Sequence, residues 1–192
     1  MRVLVFGDTH IPSRRDAIPE YFYKHIENTI YDLALITGDL VQEHEMRNAL
    51  PPLPRAFIVR GNMDYSTSAH NFHEQVQIES FNVLLLHGTQ LKPRGNIKQL
   101  WEVANNIGAQ VAVHGHTHET AVDLYQNKLF LNPGTISGAT GGWGGRTSAS
   151  FIELNVSGIN MAVLLHKTDW EISKVTEAHF LLDGQVVKRF QE

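Results

Sequence analysis

Three short apolar runs in the first third of the chain each end near a glycine that is followed by a polar residue. Runs of this kind are typical of strands that are buried on both faces. The segments between them are long enough for helices, which parallel crossovers require, so the strand ends should meet at one edge of a sheet. The runs are Val3–Phe6, Leu33–Thr37 and Ala56–Val59, and the polar residues that they deliver are Asp8, Asp39 and Asn62.

The first of these runs also delivers a histidine. Asp8 and His10 lie two residues apart, and side chains of extended chain point the same way at every second residue. A carboxylate oxygen and an imidazole nitrogen on one side form half of a divalent metal site. A single Asp-x-His is as typical of a solvated turn, so the interpretation depends on the strand ends that follow.

Further histidines are expected at strand ends in the second half of the chain. The pattern predicts an antiparallel pair, a helix that ends at Gly108, and a strand that leads into a histidine-rich loop. The paired strands are Val76–Ile78 and Phe81–Leu86, the latter ending at His87; the next strand, Gln110–Val113, delivers His114, His116 and His118.

The remaining segments are expected to complete an α/β chain. Helices are expected around Ile18, Phe22 and Ile26 and over Glu43–Leu50. The other strands are predicted as a hairpin, Ala121–Tyr125 with Lys128–Leu131, and then Ser150–Asn155, Met161–His166, Val175–Leu181 and Val186–Phe190.

Composition narrows the class of protein. With 192 residues, 42% of them hydrophobic, the chain is expected to form a single domain over residues 1–192. The net charge of −4 and the lack of a basic stretch argue against a general nucleic-acid binder. The chain has no cysteine and its first apolar run is too short for a signal peptide or a membrane span, so we expect a cytoplasmic protein.

The candidate metal ligands are too numerous for one tetrahedral zinc site. They suit two adjacent divalent ions of higher coordination number that share a carboxylate. The mixture of imidazole, carboxylate and amide groups favours Mn²⁺, with Ni²⁺, Fe²⁺ or Zn²⁺ as alternatives, over Mg²⁺ or Ca²⁺. The candidates are Asp8, His10, Asp39, Asn62, His87, His116 and His118.

The ordered motifs resemble those of the calcineurin-like metallophosphoesterase superfamily. The resemblance extends to the small bacterial and archaeal phosphodiesterases, and also to the retromer subunit of the vacuolar sorting type. It implies a four-layer α/β/β/α sandwich of two mixed sheets and hydrolysis of a phosphodiester by water that two metal ions activate. The motifs are Gly7-Asp8-Thr9-His10, Gly38-Asp39, Gly61-Asn62-Met63-Asp64, His87-Gly88 and Gly115-His116-Thr117-His118.

The resemblance also implies roles for individual residues. One metal ion would be held by Asp8, His10 and His118, and the other by Asn62, His87 and His116, with Asp39 between the two ions. Asp39, Asn62 and Asp64 are the candidate catalytic residues.

One position departs from the family pattern. Many members have a histidine directly after the asparagine, where this chain has Met63. A methionine can neither stabilise the transition state nor protonate a leaving group. We therefore expect better activity on diesters with good leaving groups than on alkyl monoesters.

Two other functions remain open at this point. A retromer-type protein-binding scaffold would share the fold but should depart from the ligand set at Asp39 and Asn62, which are both present here. A nuclease for long polymers is disfavoured by the acidic charge, so the expected partner is a small phosphodiester, with no membrane and no long nucleic acid. The oligomeric state, including a homodimer, is open.

Several other polar residues are expected outside the site. Their positions in loops or regular elements favour ordinary surface or structural roles. They are Arg14, His25, His44, His70, His73, His114, Arg146, His166 and His179. A contact with the site or the substrate is the alternative for the two arginines and for His70, His73 and His114.

Overall fold

The computed structural model describes residues 1–64, 69–142 and 144–190. These residues form three helices and twelve strands. In chain order the elements are β1 (Arg2–Phe6), α1 (Glu20–Glu27), β2 (Leu33–Ile36), α2 (Glu43–Asn48), β3 (Ala56–Ile58), β4 (His73–Ile78), β5 (Phe81–Leu86), α3 (Ile97–Asn106), β6 (Val111–Val113), β7 (Thr120–Tyr125), β8 (Lys128–Pro133), β9 (Ala149–Ser157), β10 (Asn160–Thr168), β11 (Ser173–Asp183) and β12 (Val186–Phe190).

The larger sheet has seven strands and mixed pairing. Its order is β12-β11-β10-β9-β1-β2-β3. β1, β2 and β3 run parallel, as the sequence predicted, with Val5 opposite Leu35 and Leu35 opposite Phe57. β9 pairs antiparallel with β1, with Val5 opposite Ile152, and the C-terminal strands follow as an antiparallel meander. The carboxyl ends of β1, β2 and β3 therefore lie at one edge of this sheet.

The smaller sheet has five strands, in the order β4-β5-β6-β8-β7. β5, β6 and β8 are parallel to one another, and β4 and β7 pair antiparallel at the two edges. β4 begins at His73, three residues before the predicted start, because backbone pairing with β5 continues through its polar half. Only alternate residues of β4 are buried, as is typical of an edge strand.

The two sheets pack face to face between layers of helices. Residues of β1 alternate between two cores: Val5 packs against the smaller sheet, whereas Leu4 and Phe6 pack against α1 and α2. On the far side of the smaller sheet, α3 covers β5 and β6 through Leu100 and Ala104. The layers are thus α/β/β/α, which confirms the predicted fold class, and each of the twelve described strands corresponds to a strand predicted from the sequence.

None of the helices in the described part of the chain is long and apolar enough to cross a membrane.

Candidate metal centre

The predicted ligands come from five strand ends that meet where the two sheets face each other. Asp8 and His10 follow β1, Asp39 follows β2 and Asn62 follows β3. From the smaller sheet, His87 follows β5 and the loop with His116 and His118 follows β6. The structure brings all seven side chains to one place, and their roles as metal ligands stay a prediction.

The first group of ligand-type atoms belongs to Asp8, His10 and His118, which lie within 4.8 Å of one another. Nε2 of His10 and Nε2 of His118 are 3.1 Å apart, and Nε2 of His118 is 3.5 Å from Asp8 Oδ1. Asp8 and His10 are almost completely buried. Two imidazole nitrogens and a carboxylate oxygen therefore converge in a site that excludes most of the solvent.

The second group consists of Asp39, His87 and His116, again within 4.8 Å. Asp39 Oδ2 lies 3.5 Å from Nε2 of His87 and also 3.5 Å from Nε2 of His10, so it contacts both groups. Asn62 Oδ1 approaches Nε2 of His87 at 3.2 Å. Asp39 thus lies between the two groups, where the resemblance implies the shared carboxylate.

Two imidazole rings are oriented by backbone carbonyl groups. Nδ1 of His87 donates to the carbonyl oxygen of Thr37, and Nδ1 of His118 donates to that of Ala139, both at 2.7 Å. A carbonyl can only accept, so each ring carries its proton on Nδ1 and directs Nε2 into the centre. Metal-binding histidines are typically held in this way.

Buried polar atoms without partners also fit a cation. Among the described residues, Asp8 Oδ1 and His10 Nδ1 are buried and form no hydrogen bond. An unpaired buried carboxylate oxygen costs free energy unless a positive charge compensates it. The donor set and its unsatisfied oxygen therefore fit one divalent ion in each group.

The protonation states of the histidines follow from burial and from the two carboxylates. Burial lowers the pKa of His10 to about 3 and that of His116 to about 4, which keeps both rings neutral and able to bind a metal ion. Burial also opposes charge on His87, but the hydrogen bond to Asp39 and the charge of Asp8 outweigh it and raise its pKa to about 9. Burial raises the pKa of Asp8 to about 6. In the absence of a metal ion, a protonated His87 thus balances part of the negative charge.

Asp64 lies beside the centre, and its carboxylate is turned towards the backbone. Oδ1 accepts from the N–H groups of Leu40 and Val41 at 2.6 and 2.9 Å, and Oδ2 accepts from those of Asp39 and Gly61 at 3.0 and 2.7 Å. Four hydrogen bonds fix the loop after β2 against the loop after β3. The expected catalytic role of Asp64 stays a prediction, and its contacts are those of a positioning residue.

The ligand loops have an unusual backbone. Asp8, His10, Asp39, His116 and His118 all have positive φ, between 48° and 71°. Residues other than glycine adopt this left-handed conformation at a cost, and such residues concentrate at functional sites. The free energy to hold them comes from the surrounding sheets.

Glycines next to the ligands allow close approach of neighbouring groups. A Cβ atom on Gly61 would lie 2.1 Å from Asp39 Oδ1, and one on Gly115 would lie 2.8 Å from Asp8 Oδ2. No side chain fits at either position. Gly61 and Gly115, which precede the candidate ligands Asn62 and His116, therefore allow Asp39 and Asp8 to approach the backbone closely.

An inner pocket of about 140 Å³ opens over the two groups. Two arginines line it: Arg14, which was expected at the surface, and Arg94, which no sequence motif marks as a site residue. Nη1 of Arg14 donates to the carbonyl oxygen of Thr140 at 2.7 Å, which holds this half-buried side chain. Met63 also lines the pocket, and its N–H donates to Asp39 Oδ1 at 2.7 Å.

Other predicted positions lie outside this pocket. His114 is buried behind the loop, where Asn132 Nδ2 contacts its Nδ1 at 3.2 Å. His70 pairs with Glu43 at 2.8 Å, and His73 is an exposed residue of β4. The guanidinium of Arg146 lies over the ring of Trp170, 4.3 Å from its centre.

A separate histidine–carboxylate cluster, which no sequence motif indicates, lies beneath α1. Glu153 of β9 is buried, and its carboxylate contacts Nε2 of His166 at 3.1 Å and Nε2 of His25 at 3.3 Å. The hydroxyl of Tyr31 donates to the same carboxylate, and Arg2 pairs with it at 3.2 Å. The carboxylate charge is already compensated by Arg2, which distinguishes this cluster from the metal centre.

Comparison with known proteins places the chain among metallophosphoesterases and their structural relatives. A family model described as the calcineurin-like phosphoesterase superfamily domain matches residues 1–156. A probable metallophosphoesterase of Methanothermobacter thermautotrophicus is 35% identical over 136 residues, which are 70% of this chain and 77% of that protein.

Solved structures of Vps29 from Entamoeba histolytica are similar over most of the chain. A single mutant has a TM-score of 0.85 and 27% identity, covering 94% of this chain and 99% of its own. The wild-type protein in complex with Zn²⁺ has a TM-score of 0.82 and 26% identity, covering 93% and 99%.

Proposed function

Because the chain belongs to the calcineurin-like phosphoesterase superfamily, we propose that it is a dinuclear metal-dependent phosphodiesterase. The observation that carries the proposal is that two three-residue groups lie next to each other. Asp39 belongs to the second group and also contacts His10 of the first. Each group offers the imidazole and carboxylate atoms of a divalent metal site, and the two groups are adjacent. The substrate in this proposal is a small phosphodiester.

The proposed ligands divide as the resemblance implies. Asp8, His10 and His118 hold one ion, Asn62, His87 and His116 hold the other, and Asp39 is shared. The mixed nitrogen and oxygen donors favour Mn²⁺. When bound, two such ions supply a water molecule of lowered pKa and compensate negative charge on phosphoryl oxygens.

The chain's own residues prepare the pocket for a phosphodiester. The Asp64 carboxylate fixes the loop of Asp39, and backbone carbonyls orient the rings of His87 and His118. The guanidinium of Arg14 at the pocket wall suits an anionic substrate. Met63 brings no proton donor of its own to this wall, so diesters with good leaving groups should be hydrolysed faster than alkyl monoesters.

The proposal is tested by hydrolysis of a chromogenic phosphodiester and of the matching monoester with Mn²⁺ added. We expect metal-dependent turnover of the diester. Mutation of a residue that merely orients a metal ligand typically lowers activity by about 10- to 100-fold, so Asp39→Asn, which changes a proposed ligand itself, should lower turnover by more than about 100-fold. Asp183→Asn is the matched control, since this carboxylate is exposed, lies on the far strand β11 and pairs with Lys188. An unactivated alkyl monoester as the best substrate would contradict the role given to Met63.

A second candidate is the retromer-type scaffold. It is favoured by the likeness to Vps29, which spans 94% of the chain, whereas the curated metallophosphoesterase aligns over 70%. Bound metal without turnover of either chromogenic ester would favour the scaffold over the enzyme. Against it stands the complete ligand set, including Asp39 and Asn62.

Two further parts of the proposal concern the setting of the enzyme. A chain without cysteine suits the reducing cytoplasm, which we propose as its compartment. A homodimer is a proposal that sedimentation of the purified protein would test.

A further inference from the structure

A second pocket, of about 450 Å³, opens beside the inner one. We call it the basic groove; its walls include Thr89, Lys92, Pro93 and Arg94 on one side and Asn62 and His116 on the other. Its volume lies within the range of about 300–1,000 Å³ that is typical of small-molecule sites.

The basic groove is continuous with the proposed reaction site. Asn62, His116 and Arg94 line both pockets. A phosphodiester whose phosphoryl group occupies the inner pocket would therefore extend one of its two ester arms into the groove.

Two cations face this arm. Lys92 and Arg94 are exposed, and within the described residues neither side chain forms a hydrogen bond or an ion pair. No carboxylate is among the residues that line the groove. In a chain with a net charge of −4, this is a local positive site.

The segment that carries the two cations is held in place by the start of α3. The N–H of Lys92 donates to Gln99 Oε1, and Asn96 Nδ2 donates to the carbonyl oxygen of Lys92, both at 2.9 Å. Asn96 also caps the helix by accepting from the N–H groups of Lys98 and Gln99. The backbone between β5 and α3 is thus fixed before any ligand arrives, which lowers the entropic cost of binding.

We propose that the basic groove binds a second phosphate, carried by the leaving arm of the substrate. The inference rests on the proposed function. A phosphate monoester carries a charge of about −1.5 to −2 at pH 7, which two cations match better than they match the single charge of a carboxylate. Arg94, with its planar donors, lies nearest the reaction site, and Lys92 lies only in the groove.

The reaction balances as an ordinary hydrolysis. Water oxygen forms a bond to phosphorus, the bond from phosphorus to the leaving oxygen breaks, and that oxygen takes up a proton. The products are a phosphate monoester and an alcohol that retains its own phosphate, held at first by the groove.

The test compares thymidylyl-thymidine with the same dinucleotide carrying a 5′- or a 3′-terminal phosphate, with Mn²⁺ and at fixed ionic strength. We expect one phosphorylated form to have a kcat/KM about tenfold higher than that of the unphosphorylated dinucleotide, mainly through a lower KM. This is the effect of one additional hydrogen bond to a charged group. Lys92→Gln and Arg94→Gln should each remove most of this preference. Arg189→Gln, which removes an exposed charge on β12, should preserve it.

A binding measurement gives a readout without turnover. By calorimetry on the metal-free protein, thymidine 3′,5′-bisphosphate should bind more tightly than either thymidine monophosphate, and Lys92→Gln should abolish the difference. Equal kcat/KM for all dinucleotides, or a preference that Lys92→Gln leaves intact, would overturn the groove proposal and leave the proposed function standing. Absence of turnover with every diester would overturn the proposed function, and calorimetry would then decide on the groove alone.

Discussion

Asp64 acts on the metal centre through the backbone of two loops. Its carboxylate accepts four N–H groups, and an amide in its place can accept at only one of its two ends. Asp64→Asn should therefore leave two N–H groups unpaired, which costs about 2–4 kcal/mol of unfolding free energy. It should also weaken Mn²⁺ binding, because Asp39 belongs to the loop that is released.

Urea denaturation of the metal-free variant and Mn²⁺ titration measure these two effects. The exposed Asp183, changed to Asn, should alter the unfolding free energy by less than about 0.5 kcal/mol. A variant Asp64→Asn with normal stability and metal affinity but without turnover would show instead that Asp64 contacts the substrate.

In the proposed function, Met63 limits which esters the pocket hydrolyses. It lines the inner pocket, so Met63→His would place there an imidazole that is not one of the proposed metal ligands and is free to act as a proton donor. We expect turnover of an alkyl monoester to rise by about 100-fold relative to the diester, the lower range for general acid catalysis. Met63→Gln is the control, because it is polar and of similar length but has no such proton. A gain of equal size in both variants would exclude acid catalysis as its cause.

At the scale of elements, Glu153 connects β9 to α1 and to the neighbouring strands. Burial alone would raise the pKa of this carboxyl, but hydrogen bonds from His166 and Tyr31, with the charges nearby, hold it below the usual range. Glu153→Gln should therefore cost about 1–3 kcal/mol of unfolding free energy at pH 7, since it removes the buried carboxylate that Tyr31 and His166 contact, whereas the partly exposed Arg2 can be solvated.

The sign of the pH dependence follows from that lowered pKa. A depressed carboxyl pKa stabilises the folded state above the unfolded value of 4.5, and this contribution is lost as the pH falls towards the folded pKa. Denaturation at several pH values from 7 to 2 should show a constant difference above about pH 4.5 and a progressive convergence of the variant and the wild type below it. A constant difference across this range would mean that the carboxylate charge is not what stabilises the network.

The same element explains what the sequence could and could not predict. β1, β2 and their ligand residues are local patterns, because an apolar run, a glycine and a carboxylate are adjacent in the chain. The partners of Glu153 lie between 13 and 151 residues away. No local spacing joins Arg2, Tyr31 and Glu153. The pairing of β9 with β1 brings Glu153 near Arg2, and the pairing of β1 with β2 brings in Tyr31, which precedes β2.

The arginines of the pocket were missed for a similar reason. Arg94 lies in a loop with no periodic pattern, and it reaches the site because β5 is parallel to β6 and ends beside it. Arg14 also lies in a predicted loop, and it was expected at the surface although it contacts Thr140, 126 residues further along. Loop residues acquire their function from tertiary placement, which one sequence does not encode in any local spacing.

At the scale of the whole molecule, the metal centre joins the two sheets. Asp8, His10 and Asp39 come from the larger sheet, and His87 and His116 come from the smaller one. A ligand that bridges them in the folded state, and not in the unfolded chain, must stabilise the entire domain.

Thermal unfolding with and without Mn²⁺ therefore tests the centre independently of turnover. At a free Mn²⁺ concentration of about 100 times Kd, the added stability is about 2.7 kcal/mol, which for a chain of this length raises Tm by about 5–10 °C. Asp39→Asn should lose most of this shift, whereas Glu153→Gln should start from a lower Tm and keep it. The opposite result, a shift that survives Asp39→Asn and disappears in Glu153→Gln, would locate the metal ion in the cluster of His25, Glu153 and His166 beneath α1.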